Sequence, residues 1–404
     1  MCMKRVLFVD DDPGVLQGLR RMLHAMRDMW HMEFVQSADD AKRVLASENF
    51  DVIVTDMRMP GLDGAALLAF VQDHYPHMVR IVLSGQADME SILRTVGPSH
   101  QYLAKPCDAD TLRKTVDRAC SLSSLLAREE LKGLIARVGS LPSLPSVYAE
   151  LVQELASEDA SIQRIGQIVS KDVAMSAKIL QLVNSAFFGL PRHVGSPAQA
   201  AALLGTETLR ALVLSVHVFS QYEAGRLPGV NLEQLWHHSS RTSVLAKRIA
   251  EAESAGKRCV EDAFIAGFLH AAGTMVLASG LQIGYLDAKQ LAEEESVPLW
   301  EAEVRRLGAS HGEVGGYLLG LWGLPNPVVE AVAYHDNPND SEAPGFTPLT
   351  AVHAACALCC EADEAEGASV AALDYDYLDR EGLSHRLDVW RGLADESRQQ
   401  ENAA

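Results

Sequence analysis

Residues 4–12 read KRVLFVDDD, a short apolar run that ends in three consecutive aspartates. Four similar runs follow, each separated from the next by a stretch with helical periodicity. This alternation predicts a doubly wound α/β domain, in which five parallel strands form one sheet with helices on both faces. The predicted strands are Val6–Val9, Phe34–Gln36, Val52–Thr55, Ile81–Leu83 and Tyr102–Ala104, and the predicted helices are Pro13–Arg27, Ala38–Glu48, Leu62–Tyr75, Met89–Val96 and Ala109–Ala119.

Polar residues stand where these strands end. Asp10 and Asp11 follow the first strand, Asp56 the third, Ser84 the fourth and Lys105 the fifth. Because the carboxyl ends of parallel strands meet at one edge of a sheet, we expect these side chains to converge there. Carboxylate oxygens suit Mg²⁺, lysine offers a positive charge to the same anion, and a carboxylate so placed can attack a phosphoryl group. The alternative is a solvated acidic loop, which requires that polar residues follow four of the strands by chance.

The segments FVDDD, TDMRMPGLDG, LSG and YLAKP, in this order, resemble the signature of bacterial receiver domains, the flavodoxin-like family of the chemotaxis regulators. The resemblance implies a two-component response regulator that takes its phosphoryl group from a cognate histidine kinase or another phosphodonor. It implies a phosphoacceptor at Asp56, Mg²⁺ ligands at Asp10, Asp11, Asp56 and the backbone carbonyl of Arg58, phosphoryl contacts from Lys105 and Ser84, and an aromatic switch at Tyr102. It also implies a cis peptide bond before Pro106.

Beyond this region the strand signals stop, and alanine- and leucine-rich helical windows follow. We predict a receiver domain at 1–121, a helical connector at 122–140, an all-helical domain at 141–361, and an acidic, polar tail at 362–404 with a disordered end. The connector sequence SSLLAREELKGLIARV is amphipathic, which predicts that it pairs with a second copy of the chain to form a homodimer. In this hypothesis the connector carries the change in the receiver to the helical domain.

The helical region contains histidines in otherwise apolar helical surroundings. A lone histidine in such a place is usually a satisfied core residue, but several in one domain favour a shared cavity. These histidines are His238, His270, His311, His335 and His353.

The segments LPSLPSVYAEL, IGQIVSKDVAMSAKILQLVNSAFFG, AFIAGFLHAAG and YLLGLWGLP, in this order, resemble the HDOD family, an all-helical branch of the HD phosphohydrolase superfamily. A catalytic HD domain binds metal through a histidine, a His-Asp pair and a distant aspartate. By this resemblance His238 and His270 match the two histidines, whereas Ala271 replaces the first aspartate and His353 the second. The loss of both carboxylates predicts a non-catalytic signalling or interaction domain with no assigned cofactor. The alternative is a divergent metal-dependent phosphohydrolase or nucleotide-binding domain.

Three of the seven cysteines lie close together in the helical region. Cys356, Cys359 and Cys360 have the spacing of one helical face. We interpret them as part of a buried face, with a metal clip as the alternative.

The composition limits the partners. The formal net charge is −19 over 404 residues, and so acidic a surface repels both phosphate backbones and anionic lipids. We therefore expect neither nucleic acid nor membrane as a partner, and a downstream protein that the sequence does not identify. The uncharged stretch Ala263–Leu281 is long enough for a bilayer, but we interpret it as a helix buried in a bundle. The charged N-terminus and the scattered cysteines favour the cytoplasm.

Overall fold

The computed structural model describes residues 3–85, 98–121, 126, 129–136, 142–143, 145–157, 160–184, 194–214, 220–221, 227, 229–363 and 372–402. The N-terminal part is a five-stranded parallel sheet in the order β2-β1-β3-β4-β5. Its strands are β1 Lys4–Val9, β2 Trp30–Val35, β3 Val52–Asp56, β4 Val79–Gly85 and β5 Gln101–Lys105. The predicted α/β architecture is confirmed, although β2 begins earlier than predicted because the buried Trp30 already belongs to the strand.

The helices around this sheet begin at side-chain caps. Asp12 and Asp63 accept hydrogen bonds from the backbone N–H groups of Gly14 and Ala66, which satisfies donors that the first helical turn leaves open. The helices are α1 Pro13–Met22, α2 Ala38–Ser47, α3 Gly64–His74 and α4 Ala109–Ser121. The predicted helix Met89–Val96 lies outside the described residues. The expected cis peptide bond precedes Pro106.

The described residues beyond 121 are mainly helical, as predicted, and they include two short paired strands, β6 Pro142–Ser143 and β7 Ser220–Gln221. The helices are α5 Glu129–Ala136, α6 Pro145–Ala156, α7 Ile162–Val169, α8 Val173–Val183, α9 Pro197–Leu214, α10 Leu232–Ala252, α11 Lys257–Leu269, α12 Ala272–Gly280, α13 Gln282–Glu295, α14 Leu299–Leu307, α15 His311–Leu321, α16 Asn326–Tyr334, α17 Pro348–Asp363, α18 Tyr375–Arg380 and α19 Leu387–Asn402.

The stretch that could pass for a membrane span is interior to the helical region. Helices α11 and α12 together are long and apolar enough to cross a bilayer, but 83% of their most apolar window is buried inside the fold. The stretch also breaks at His270 and Ala271, between the two helices. The prediction that this stretch is buried is confirmed, but the stretch forms two helices and not one.

The connector helix α5 packs between the sheet domain and the helical region. Arg80, near the start of β4, is 1% exposed, and its guanidinium donates to the carbonyl oxygens of Ala136 in α5 and of Pro98. His100, just before β5, places Nε2 3.1 Å from the same Ala136 oxygen. This network ties the connector to the end of the sheet opposite the one where Asp56 lies.

Two further hydrogen bonds join the sheet domain directly to the helical region. Gln181 of α8 donates through Nε2 to the carbonyl oxygen of His100 at 2.9 Å. Arg118 of α4 donates to the carbonyl oxygen of Gly323, after α15, at 3.2 Å. The two domains therefore share one polar interface at the amino ends of β4 and β5.

The expected pairing of the connector with a second copy does not match this arrangement. Leu131 and Ile135, apolar residues of α5, are 5% and 0% exposed within the single chain. Because those side chains already pack against neighbouring elements, a coiled-coil dimer through this face requires the connector to leave its place.

The expectation of a disordered end to the tail is wrong. Helix α19 packs on the helical region, and Trp390 is fully buried. Its indole N–H donates to Glu253 at the end of α10, and Arg248 donates to the backbone oxygen of Leu393. Leu387, Trp390 and Ala394 form an apolar stripe at helical spacing, and the polar composition of the tail hides this stripe.

Replacing Glu253 by alanine tests this docking. Its carboxylate accepts hydrogen bonds from Trp390 and from Arg386, each at 2.8 Å. The substitution leaves the buried indole N–H without an acceptor, so we expect the free energy of unfolding to fall by about 1–3 kcal/mol in urea titrations. Glu251→Ala is the matched control, because Glu251 is exposed and only 3.8 Å from Lys247. Equal urea midpoints for the two variants would contradict the docking.

Candidate phosphorylation site and histidine cluster

The carboxyl edge of the sheet brings together three of the predicted site residues. Lys105 Nζ lies 2.7 Å from Asp10 Oδ2 and also donates to Asp56 Oδ1. Asp10 follows β1, Asp56 ends β3 and Lys105 ends β5, so the strand register alone sets this meeting. The side chains of Asp10 and Asp56 are 4% and 13% exposed, which leaves Asp56 the more accessible carboxylate.

The electrostatics of this edge suit a divalent cation. Burial raises the pKa of Asp10, and the Asp56 charge adds to this effect while Lys105 opposes it. Burial lowers the pKa of Lys105, but its hydrogen bonds to Asp10 and Asp56 outweigh burial and raise the pKa overall. The carboxylates of Asp10 and Asp56 therefore share the single ammonium of Lys105, which leaves a net negative charge at this edge. Negatively charged oxygen ligands of this kind are the ones that Mg²⁺ prefers.

The other predicted receiver residues lie around this centre. Asp11 is exposed beside Asp10. The backbone N–H of Arg58 donates to Asp56 Oδ2 at 3.0 Å, which orients the carboxylate. Tyr102 is 1% exposed, so its ring already occupies an inward position in this structure. Ser84 pairs with Ala104 in the sheet, and its side chain lies outside the described residues.

Four of the five predicted histidines meet in the helical region. The ring centroids of His238 and His270 are 5.1 Å apart, those of His270 and His335 5.0 Å, and those of His311 and His335 5.3 Å. His270 and His335 follow the last residues of α11 and α16, His311 begins α15, and His238 lies within α10. The histidines that the sequence predicts to share one place thus meet between three helix ends and the interior of α10.

Burial and neighbouring charge divide these histidines into two kinds. Burial lowers the pKa of His270 well below its usual range, and neighbouring histidines lower it further; burial also lowers the pKa of His335. Burial acts in the same direction on His311, but the charges of Glu303 and Asp336 outweigh it and raise the pKa of His311 well above its usual range. His270 and His335 are therefore neutral imidazoles beside an imidazolium.

His353 does not belong to the cluster. Its Nδ1 lies 2.7 Å from the carbonyl oxygen of His335, and its Nε2 accepts a hydrogen bond from the backbone N–H of Asp374 at 2.9 Å. Backbone groups thus occupy both ring nitrogens, and the residue holds α17 against its neighbours. His353, which the sequence matches to the second aspartate, therefore offers no ring nitrogen to a metal.

Three further residues border the cluster that sequence reasoning did not place beside the histidines. Cys356 lies one helical turn beyond His353, and its Sγ is 3.6 Å from His238 Nε2. Asp336 directly follows His335, and its Oδ2 is 3.1 Å from His311 Nε2. Glu303 accepts from His311 on the other side at 2.7 Å. The dipeptide His335-Asp336 was the available signal, but helical spacing could not show that it faces His270 across the domain.

Comparison with known proteins finds two family matches in the chain. Residues 6–117 match the family described as response regulator receiver domain, and residues 141–338 match the HDOD domain. The hydrogenase transcriptional regulatory protein HoxA of Cupriavidus necator is 38% identical over 158 residues, which is 39% of this chain and 31% of that protein. An uncharacterized protein of Treponema pallidum is 28% identical over 204 residues, which is 50% of this chain and 38% of that protein.

Among solved structures, the MmoQ response regulator of Methylococcus capsulatus is similar at 24% identity, covering 62% of this chain and 98% of that one, with a TM-score of 0.47. The chain spans about a third of the length of the curated relatives it matches.

Proposed function

This chain joins a response regulator receiver domain to an HDOD domain, and on that premise we propose that Asp56 accepts a phosphoryl group in a Mg²⁺-dependent reaction and that the HDOD domain acts as a non-catalytic output. The observation that carries the first half is the meeting of Asp10 and Asp56 on Lys105 Nζ. A histidine kinase or a small acyl phosphate supplies the phosphoryl group, and the cytoplasm is the proposed place of action.

The residues divide the chemistry among themselves. Asp56 attacks phosphorus, an oxygen–phosphorus bond forms, and the donor leaves with the electron pair of the broken bond. Lys105 offsets negative charge on the phosphoryl oxygens, and the N–H of Arg58 keeps the carboxylate aimed at the donor. Asp10, Asp11, Asp56 and the carbonyl of Arg58 would hold Mg²⁺. When bound, the ion neutralises charge on the carboxylates and the transferred group.

Two observations support a non-catalytic HDOD domain. Ala271 stands where the HD superfamily carries the aspartate of its His-Asp pair, and it is buried between α11 and α12. His353 is held by backbone groups on both ring nitrogens. The hard carboxylates that a phosphohydrolase of that superfamily uses at these two positions are therefore missing, and protein binding is the output that we propose.

The structure suggests how the output senses the receiver. Strand β4 carries Ser84 near the phosphorylation site and Arg80 near the interface with α5, so a shift of this strand reaches both ends. Arg80 and Ser84 are four positions apart, which is about 13 Å along an extended strand. Couplings of this kind are worth about 1–3 kcal/mol, enough to change how strongly the HDOD domain binds a partner.

One set of measurements on the full-length protein tests the proposal. Incubation with acetyl phosphate and Mg²⁺ is expected to add the mass of one phosphoryl group, and excess EDTA is expected to prevent it. A pull-down with and without beryllofluoride is expected to recover a protein whose amount depends on the receiver state. Turnover of cyclic dinucleotides or of a generic phosphodiester would replace the binding output with the phosphohydrolase alternative, and an unchanged mass would refute the receiver half.

A further inference from the structure

The histidine cluster contains a set of donor atoms that neither the proposed phosphorylation nor the proposed protein-binding output uses. Ligand atoms of His270, His335 and Cys356 all lie within 4.8 Å of one another, and all three residues are buried. His238 adjoins them through its Nε2, 3.6 Å from Cys356 Sγ. The four residues come from the helices α10 and α17 and from the ends of α11 and α16.

Backbone contacts fix the orientation of two of these rings. His270 Nδ1 lies 2.7 Å from the carbonyl oxygen of Gly267, and His335 Nδ1 lies 2.8 Å from that of Val332. Since a carbonyl oxygen only accepts, Nδ1 carries the hydrogen in each ring and Nε2 carries the lone pair. A backbone acceptor on the second nitrogen is the arrangement that positions metal-binding histidines in proteins.

The charge around the donor atoms favours a cation. Glu303 and Asp336 place two carboxylates against the ring of His311, at 2.7 and 3.1 Å from its nitrogens, beside the donor atoms. Ligand atoms of His270, His335 and Cys356 converge in the same buried space. The thiol hydrogen of Cys356 can serve a single acceptor at a time. A metal cation satisfies all these groups together.

One distance in the cluster equals that between two ligands of a tetrahedral transition-metal site. With Zn–N of about 2.1 Å and Zn–S of about 2.3 Å at a tetrahedral angle, nitrogen and sulfur are about 3.6 Å apart. The distance from His238 Nε2 to Cys356 Sγ has this value. Imidazole nitrogen and cysteine sulfur are borderline-soft ligands, which select Zn²⁺ or Co²⁺ over Mg²⁺.

An entry path reaches the neighbourhood of the cluster. A cavity of about 470 Å³ is lined by Trp300, Asn337, Asp374 and Tyr375, and Asp336 forms part of its wall. The same Asp336 contacts His311 and lies 3.6 Å from His335 Nε2. Asp336 thus connects the acidic wall of this cavity with the histidines.

We propose that the HDOD domain of this chain binds one Zn²⁺-like ion through His270, His335 and Cys356, whose donor atoms all lie within 4.8 Å of one another. This ligand set differs from that of catalytic HD domains, since it contains a cysteine sulfur and no carboxylate. The three ligands come from α17 and from the ends of α11 and α16, so the ion crosslinks these elements and stabilises the domain. The proposal does not depend on phosphorylation of Asp56, because the site lies wholly in the other domain.

Cobalt substitution of the full-length protein tests this site. The chelator-stripped protein is loaded with Co²⁺ or Zn²⁺, desalted, and assayed for metal per chain and for absorption. We expect one ion per chain, a near-ultraviolet thiolate-to-cobalt charge-transfer band, and a higher melting temperature with Zn²⁺. In Cys356→Ser the band is expected to disappear and the affinity to fall by more than about a hundredfold, beyond the loss typical of an outer-shell change.

Cys359→Ser is the matched control, because Cys359 is also buried on α17 but lies outside the donor groups. It is expected to keep the band and the affinity. A second variant, His335→Ala, is compared with His353→Ala, whose ring nitrogens bind backbone groups. Circular dichroism reports whether each variant folds. A wild-type protein that retains no ion, or a charge-transfer band that survives in Cys356→Ser, would overturn the proposal.

Discussion

Full-length protein carrying Asp56→Ala is expected to gain no mass when it is incubated with acetyl phosphate and Mg²⁺. Asp56 is the accessible carboxylate of the pair that meets Lys105, and Asp10 is almost fully buried behind it. Removal of the nucleophile leaves Lys105 paired with Asp10 and leaves the phosphoryl group without an attacking oxygen. Intact-mass spectrometry is expected to show the added phosphoryl group in the wild type and only the unmodified mass in the variant.

The control for this result is Asp28→Ala. Asp28 belongs to the same domain, but its side chain is 88% exposed and it precedes β2 at the amino edge of the sheet, opposite the carboxyl edge where Asp56 lies. The variant is expected to be phosphorylated like the wild type. If Asp56→Ala still gained one phosphoryl group, Asp10 or Asp11 would be the acceptor, and the assignment made from the geometry of Lys105 would be wrong.

The same variant separates the two domains functionally. If the HDOD domain senses the receiver through β4 and α5, beryllofluoride is expected to change hydrogen exchange in α5 of the wild type and to leave Asp56→Ala unchanged. The difference in hydrogen exchange reports a change at the interface of α5, and it can be measured without knowing the downstream partner. It also gives the direction of the switch, because slower exchange in α5 means a tighter interface.

The receiver site could be predicted from the sequence because topology leaves little freedom. Parallel strands end at one edge, so Asp10, Asp56 and Lys105 must converge once the strands are identified. The helical region offers no such constraint. The meeting of His238, His270 and His335 depends on crossing angles and helix ends, which local periodicity does not encode.

The predictions that the structure corrects also depended on packing between elements, which the local sequence pattern does not show. His353 and Cys356 share one helix and differ by a single turn, yet one binds backbone groups and the other faces the cluster. Trp390 anchors a tail whose composition reads as disordered, because a single buried stripe decides the packing of an otherwise polar helix. The amphipathic connector predicts a dimer contact, because the sequence shows that the helix has an apolar face but does not show which surface covers that face.

Replacing Arg80 by methionine is expected to lower the free energy of unfolding of the full-length protein by about 3–5 kcal/mol. The guanidinium donates to the carbonyl oxygens of Ala136 and Pro98, and its Nη2 lies 2.9 Å from His100 Nε2. Burial lowers the pKa of Arg80 to about 9, which still leaves it charged at neutral pH. Methionine keeps the apolar part of the side chain. The loss of stability therefore measures the cost of leaving the buried carbonyl oxygens without a donor.

The interface makes this loss more than a local defect. Ala136 ends α5, and the carbonyl oxygen of His100 accepts the hydrogen bond from Gln181 of the HDOD domain. Without Arg80 the buried acceptors need water, which opens the contact between α5 and the start of β4. We therefore expect two effects in Arg80→Met, a lower urea midpoint and loss of the beryllofluoride-dependent change in α5 exchange, while Asp56 is still phosphorylated.

Arg113→Met supplies the matched comparison. Arg113 lies on the outer face of α4, is 37% exposed and pairs with Asp110 at 3.2 Å, so its removal is expected to change the free energy of unfolding by less than about 1 kcal/mol. Urea titration and hydrogen exchange on both variants separate a buried tie from a surface charge. If Arg80→Met kept both the urea midpoint and the α5 response of Arg113→Met, the network at Ala136 would not be the link between the domains, and the contacts of Gln181 and Arg118 would have to carry it.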